Sequence, residues 1–280
     1  MSDTFIAQEW VRAAPPLYQS AGDIQLADMY FEDVVVDPHR GPLEPSKDQR
    51  LGRRFEQLAQ RLIEAHPHLK IIAQNIALRN TQRTVGELDL VVHDTAKDLY
   101  QHWELTLKFY LGVSPDHWPG PNPIDNFSRK ARRMFDHQFP LGDSPLCLQR
   151  LQELGVPRID EKRLLSRGGL FYPSTYELPS PAESHPSHHR GTWWLYSELP
   201  ASWKWEILPR EQWIGMTSLS DKGTTLLATH QLVDYVQSAR SPVMVLGHHS
   251  QSSSVAPTLG FIVTDQWLAD AKKNCSGKVD

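Results

Sequence analysis

Three runs of strand-forming sequence stand nearly end to end between residues 69 and 111, and no other feature limits the possible folds so tightly. They are LKIIAQNIAL at 69–78, VGELDLVVH at 85–93 and LYQHWELTLKFYL at 99–111. β-Branched and aromatic residues dominate them, and short polar stretches separate them. The second and third are joined by DTAK, the length of a hairpin turn. With the turn centred between Ala96 and Lys97, Asp89 and Glu104 stand 7.5 positions either side and face each other. Directly opposed residues hold their Cβ atoms about 4.5–5.5 Å apart.

Two carboxylates at that separation repel unless a positive group sits between them. A hard divalent cation, Mg²⁺ or Mn²⁺, is the simplest partner, because it accepts one or two carboxylates and keeps waters for a substrate phosphate. Strand alternation puts Glu87 beside Asp89, and puts His102, Thr106 and Lys108 beside Glu104. The opposite face carries Leu88, Leu90, Val92, Trp103, Leu105 and Leu107. A hairpin with one solvated side gives the same alternation. Helical patterns on both sides of the hairpin predict instead that both faces are covered.

The first such pattern follows Ser46 as N-cap: Leu51, Phe55, Leu58, Leu62 and Ile63 recur at helical spacing, up to His66-Pro67. A second helix is expected over 124–139, carrying Arg129, Lys130, Arg132 and Arg133, and a third over 145–154. GGLFYP at 168–173 reads as a further buried strand. This order predicts an α/β sandwich around a mixed sheet over 46–178. Ahead of it, 1–45 reads as an acidic flank or lid, with a helix from Phe5 to Ala14 stopped by two prolines and a β-branched run at Val34–Val36. PSPAESHPS at 179–187 is a linker by composition. Six of the nine tryptophans lie in 188–280, which reads as a C-terminal α+β module. There we expect a helix at 224–239, a hairpin through Met244 and Phe261, and a terminal helix.

The formal net charge of −4 argues against bulk electrostatic coating of nucleic acid. Residues 1–50 hold 9 acids and 4 bases, a balance of −5, so the remainder sums to about +1. That leaves room for a local basic surface, and Arg129, Lys130 and Arg133 share one side of their helix. Cys147 and Cys275 are too isolated for a disulfide framework or a zinc site, which suits a reducing cytoplasm. The longest apolar runs, such as VMVL at 243–246, are too short to span a bilayer, and the N-terminus lacks a secretory pattern. A cytoplasmic protein without a membrane partner is therefore expected. The pairs His188-His189 and His248-His249 lack the spacing at which ligands share a helix or strand face. The tryptophans could stack bases, or form a small core or a subunit contact. Neither GxxxxGK nor GxSxG occurs.

LGRRFEQLAQRLI, AQNIAL, GELDLVV and the strand with a central Glu and a following Lys together resemble the core of the PD-(D/E)XK nuclease superfamily, closest to the branch of Holliday-junction resolvases. The run HWELTLKFYLGV, WPGPNPIDN, HQFPL, GGLFYP and HHRGTWW also resembles an uncharacterised bacterial family, domain-of-unknown-function family 1853, over most of the chain. The superfamily resemblance implies a restriction-endonuclease-like core and Mg²⁺-dependent hydrolysis of DNA phosphodiesters. It implies Asp89 and Glu104 as metal-binding carboxylates, with Glu56 completing the site. Its lysine normally lies two residues after the second acid, where this chain has Thr106. Lys108 is the lysine on that face, so either it has taken over the role or the chain binds nucleic acid or a protein partner without cutting.

Overall fold

The computed structural model describes residues 2–43, 50–216, 225–249 and 256–275. Within them the chain forms two compact units, each assembled from separated stretches: 1–107, 130–167 and 185–187 make the first, and 108–129, 168–184 and 188–280 the second. Helices flank mixed sheet in this α/β architecture.

In the first unit, α1 (Asp3–Ala13) is capped by Ser2, whose side chain accepts the Phe5 N–H. It buries Ala7, Trp10 and Val11, and β1 (Ile24–Leu26) follows. The segment read as a flank thus contributes a helix and a strand to this unit. Val34 and Val36 are buried without forming a strand. The helix α2 (Leu51–Ala65) turns Phe55, Leu58, Leu62 and Ile63 inward; its expected cap, Ser46, lies outside the described residues. Then come β2 (Leu69–Arg79), β3 (Thr84–Asp94) and β4 (Leu99–Leu111). Both successive pairs are antiparallel. Leu90 pairs with Trp103 and His93 with Tyr100, the register a turn between Ala96 and Lys97 requires.

The expected second helix is interrupted. α3 (Phe127–Arg133) passes into a π-helical stretch at Met134–Gln138, then α4 (Phe139–Leu141) and α5 (Pro145–Glu153). β5 (Glu161–Pro173) starts seven residues before the GGLFYP run, lies beside β4, and takes β1 as a parallel partner. Both faces of the β3–β4 hairpin are covered. On one, Trp103 meets Tyr30 at 5.7 Å and Phe31 at 6.0 Å. On the other, His102 lies 5.4 Å from Phe139.

The second unit adds β6 (Arg190–Leu195), β7 (Lys204–Ile207), β8 (Leu227–Ala228), α6 (Thr229–Ser238), β9 (Val243–His248), β10 (Thr258–Val263) and α7 (Asp265–Cys275). Thr224, the expected start of α6, lies outside the described residues. β10 is parallel to β6 and antiparallel to β9, with Phe261 opposite Met244 as the expected hairpin requires. Trp193, Trp194, Trp205, Trp213 and Trp267 are buried. Four of their indole N–H groups are committed internally: Trp193 to Gly112 O, Trp205 to Thr229 Oγ1, Trp213 to Leu208 O and Trp267 to Pro121 O. These rings form core and are not offered to bases.

Gly168 is the tightest point of this unit. A Cβ there would stand 1.6 Å from the Lys108 carbonyl oxygen, and its φ of +132° suits glycine alone. Gly168→Ala should therefore cost about 3 kcal/mol or more, read as a lowered denaturant midpoint. An unchanged midpoint would contradict the close approach of β4 and β5 here.

Candidate metal and active site

The β3–β4 ladder runs from Asp94↔Leu99 to Leu90↔Trp103 and goes no further. The next residues along it are Asp89 and Glu104. In place of a ladder bond, Asp89 Oδ2 accepts the Leu105 N–H at 2.8 Å. The Asp89 backbone N–H favours the charged form of Glu104. Asp89 thus reaches across to the strand that carries Glu104, close enough for the two carboxyls to feel each other's charge.

Glu104 is 2% exposed. Its Oε1 lies 2.8 Å from His102 Nε2, two residues away on the same strand face, and its Oε2 accepts from Gln138 Nε2 at 2.9 Å. Gln138 arrives from the π-helical stretch, a form of helix often found at functional positions. His102 is fully buried, and its Nδ1 has no hydrogen-bond partner among the described residues.

Burial dominates the electrostatics. It pushes Asp89 up to about 8, assisted by the charge of Glu104 and then Glu56, against the pull of the Leu105 N–H and His102. Burial also pushes Glu104 up to about 8, with Glu87 adding to it and the Asp89 N–H opposing. The same burial drives His102 down to about 4. Burial thus favours the uncharged form of all three groups, the protonated acids and the neutral imidazole.

A hard divalent cation fits this donor set, because it replaces the protons of two carboxyls that are costly to charge alone. Asp89 Oδ1 is engaged by no described residue. Among the described residues no three His, Cys, Asp or Glu side chains form a group that could hold an ion, so water would complete the shell. Glu56 acts on Asp89 through its field, while its Oε2 pairs with Arg53 Nη1 at 2.9 Å.

The remaining candidates are placed as follows. Lys108 Nζ lies 3.7 Å from Asp125 Oδ2 within the second unit, so its charge is partnered. Arg129, Lys130 and Arg133 all lie on α3, where Arg129 bonds the Ile124 carbonyl and Arg133 is exposed. His188 Nε2 meets the Tyr172 hydroxyl at 2.9 Å.

One contributor, and one unusual backbone position beside the site, carried little signal in sequence. Gln138 depends on a π turn that no side-chain pattern announces. Asn75 has a φ of +52° at the position on β2 opposite Asp89, between Gln74↔Leu90 and Ile76↔Leu88. Asparagine is one of the few residues other than glycine that takes this left-handed conformation readily. Asn75 also lines a cavity of about 580 Å³ between β2 and α5, which includes neither carboxylate.

No curated protein and no solved structure matches the chain. Residues 10–263 match the family model described as "Domain of unknown function (DUF1853)". That match covers most of the chain, which therefore belongs to the DUF1853 family.

Proposed function

We propose that this protein is nuclease-like, with a restriction-endonuclease-like core and Mg²⁺- or Mn²⁺-dependent hydrolysis of DNA phosphodiesters. One observation carries the reading: two acids from adjacent strands meet where the β3–β4 ladder ends, and both are pushed to about 8. Asp89 and Glu104 would hold the ion, Leu105 N–H fixes the Asp89 carboxyl, and His102 with Gln138 fixes that of Glu104. Glu56 adds negative field. A bound cation would supply a more acidic water and neutralise charge on the phosphate. Arg129, Lys130 and Arg133 are the proposed contacts to the DNA backbone.

A second reading, a non-cutting relative that binds nucleic acid or a protein partner, is favoured by two observations. Thr106 stands in the lysine position, and both Glu104 oxygens are already engaged, Oε1 with His102 Nε2 and Oε2 with Gln138 Nε2.

Incubation of supercoiled plasmid with Mg²⁺ or Mn²⁺ separates them. Cleavage by wild type that falls about 100-fold or more in Asp89→Asn is the expected result. Loss of cleavage in Lys108→Ala, with ion binding retained, would assign the lysine role to Lys108; full retention would remove it. An inert wild type made active by Thr106→Lys would establish the non-cutting relative, and cleavage unaffected by Asp89→Asn would overturn the proposal.

A further inference from the structure

We propose that Glu206 and His248, in the second unit, form a separate cation site for a divalent ion of the zinc class. Glu206 on β7 is 2% exposed, yet its Oε2 has no hydrogen-bond partner among the described residues. His248 Nε2, at the end of β9, has none either. These two orphaned atoms face each other at 3.7 Å. A buried carboxylate oxygen without a hydrogen bond is costly to retain, and an ion held between it and the facing imidazole would compensate it.

Register explains the meeting. Lys204 pairs with His248 and Glu206 with Leu246, so His248 and Glu206 are diagonal neighbours on one sheet face. Trp205 and Val245 point the other way, into the core under α6. His249 also faces away: its Nε2 bonds Thr258 Oγ1 at 3.1 Å and its ring lies tilted against Trp203 at 4.0 Å. Adjacent histidines on a strand cannot both be ligands, and here one is free to be.

The separation discriminates between the ways of joining two such atoms. A direct N–H···O bond spans about 2.7–3.2 Å, and a bridging water sets its two partners about 4.5 Å apart. Two ligands held at about 2.0–2.2 Å on one tetrahedral zinc-class ion stand about 3.3–3.6 Å apart. The observed 3.7 Å is nearest to that separation, just above it and away from the other two. One imidazole nitrogen with one carboxylate oxygen also suits Zn²⁺ or Co²⁺ better than Mg²⁺, which prefers oxygen throughout. Among the described residues no third His, Cys, Asp or Glu joins them, so the remaining positions take water or an external donor.

The test uses Co²⁺ as a coloured stand-in for Zn²⁺, added to the full chain carrying Asp89→Asn so that the first acid pair does not contribute. A visible ligand-field band saturating at one equivalent and bleached by Zn²⁺ is expected. Its affinity should fall about tenfold or more in both His248→Gln and Glu206→Gln. Both changes preserve side-chain size, and His248→Gln carries the test if Glu206→Gln fails to fold. Absence of the band at millimolar Co²⁺, or an unchanged titration in His248→Gln, would overturn the site and leave an ordinary ion pair.

Discussion

Glu104→Gln stabilises the metal-free protein at pH 8 by roughly 2–4 kcal/mol, equivalent to about 5–10 °C in melting temperature. The expectation follows from the direction of each shift. A carboxyl whose folded pKa is raised keeps a proton that the unfolded chain has released. For Glu104 that contribution is full below the ordinary value of 4.5 and lost as pH rises through about 8. Asp89 behaves alike between 3.8 and about 8. His102 is depressed, so its contribution is full above 6.5 and lost as pH falls to about 4. Between pH 6.5 and 8 the two acids dominate the curve, since the depressed His66, His102 and His117 have given most of their contribution by then, and wild-type stability declines there. The neutral amide introduced by Glu104→Gln escapes that decline while keeping the shape of the side chain. A melting curve of wild type that is flat from pH 6.5 to 8, or a variant no more stable than wild type at pH 8, would show that the carboxyls are not held in this environment.

Asp28→Ala should destabilise by about 3–5 kcal/mol. Arg167 is fully buried, and its Nη1 lies 2.8 Å from Asp28 Oδ1. Its Nε donates to the Val11 carbonyl at 2.7 Å and Nη1 also to the Ser166 carbonyl at 3.0 Å. Burial pulls the guanidinium below its ordinary pKa, and Asp28 opposes that pull. Removing Asp28 leaves a cation in the interior without its counter-charge. Asp28→Ala combined with Arg167→Met should lose less than Asp28→Ala alone, because the stranded charge is gone. Urea midpoints for the three variants check this; equal losses in the single and double variants would show that the pair is not coupled.

The hairpin was legible in sequence because period-two alternation and turn symmetry are local, and Leu90 does pair with Trp103. The first seven residues of β5, EKRLLSR, were not. Charged residues are buried there through partners remote in sequence, Arg167 against Asp28 and Arg163 against Gln25, with Glu161 beside it, so the strand lacks an apolar signature. β1 is three residues long and pairs with Lys162–Leu164, far along the chain, which no local pattern can announce. Within the site, the facing acids could be read from register alone. His102 was placed on the correct face, since its contact with Glu104 follows from spacing two on a strand. Gln138 was not, because an i→i+5 turn changes which helical residues point inward without changing their order.

Titration calorimetry of Mg²⁺ and Mn²⁺ into wild type and Asp89→Asn, in buffers of different ionisation enthalpy, tests the central claim most directly. Because both acids sit near 8, binding to wild type at pH 7 should release protons, and affinity should rise between pH 6 and 8 by about tenfold per unit for each proton released. Asp89→Asn should show no such binding. Identical isotherms for the two proteins, or binding without proton release, would contradict a divalent-ion site at Asp89 and Glu104.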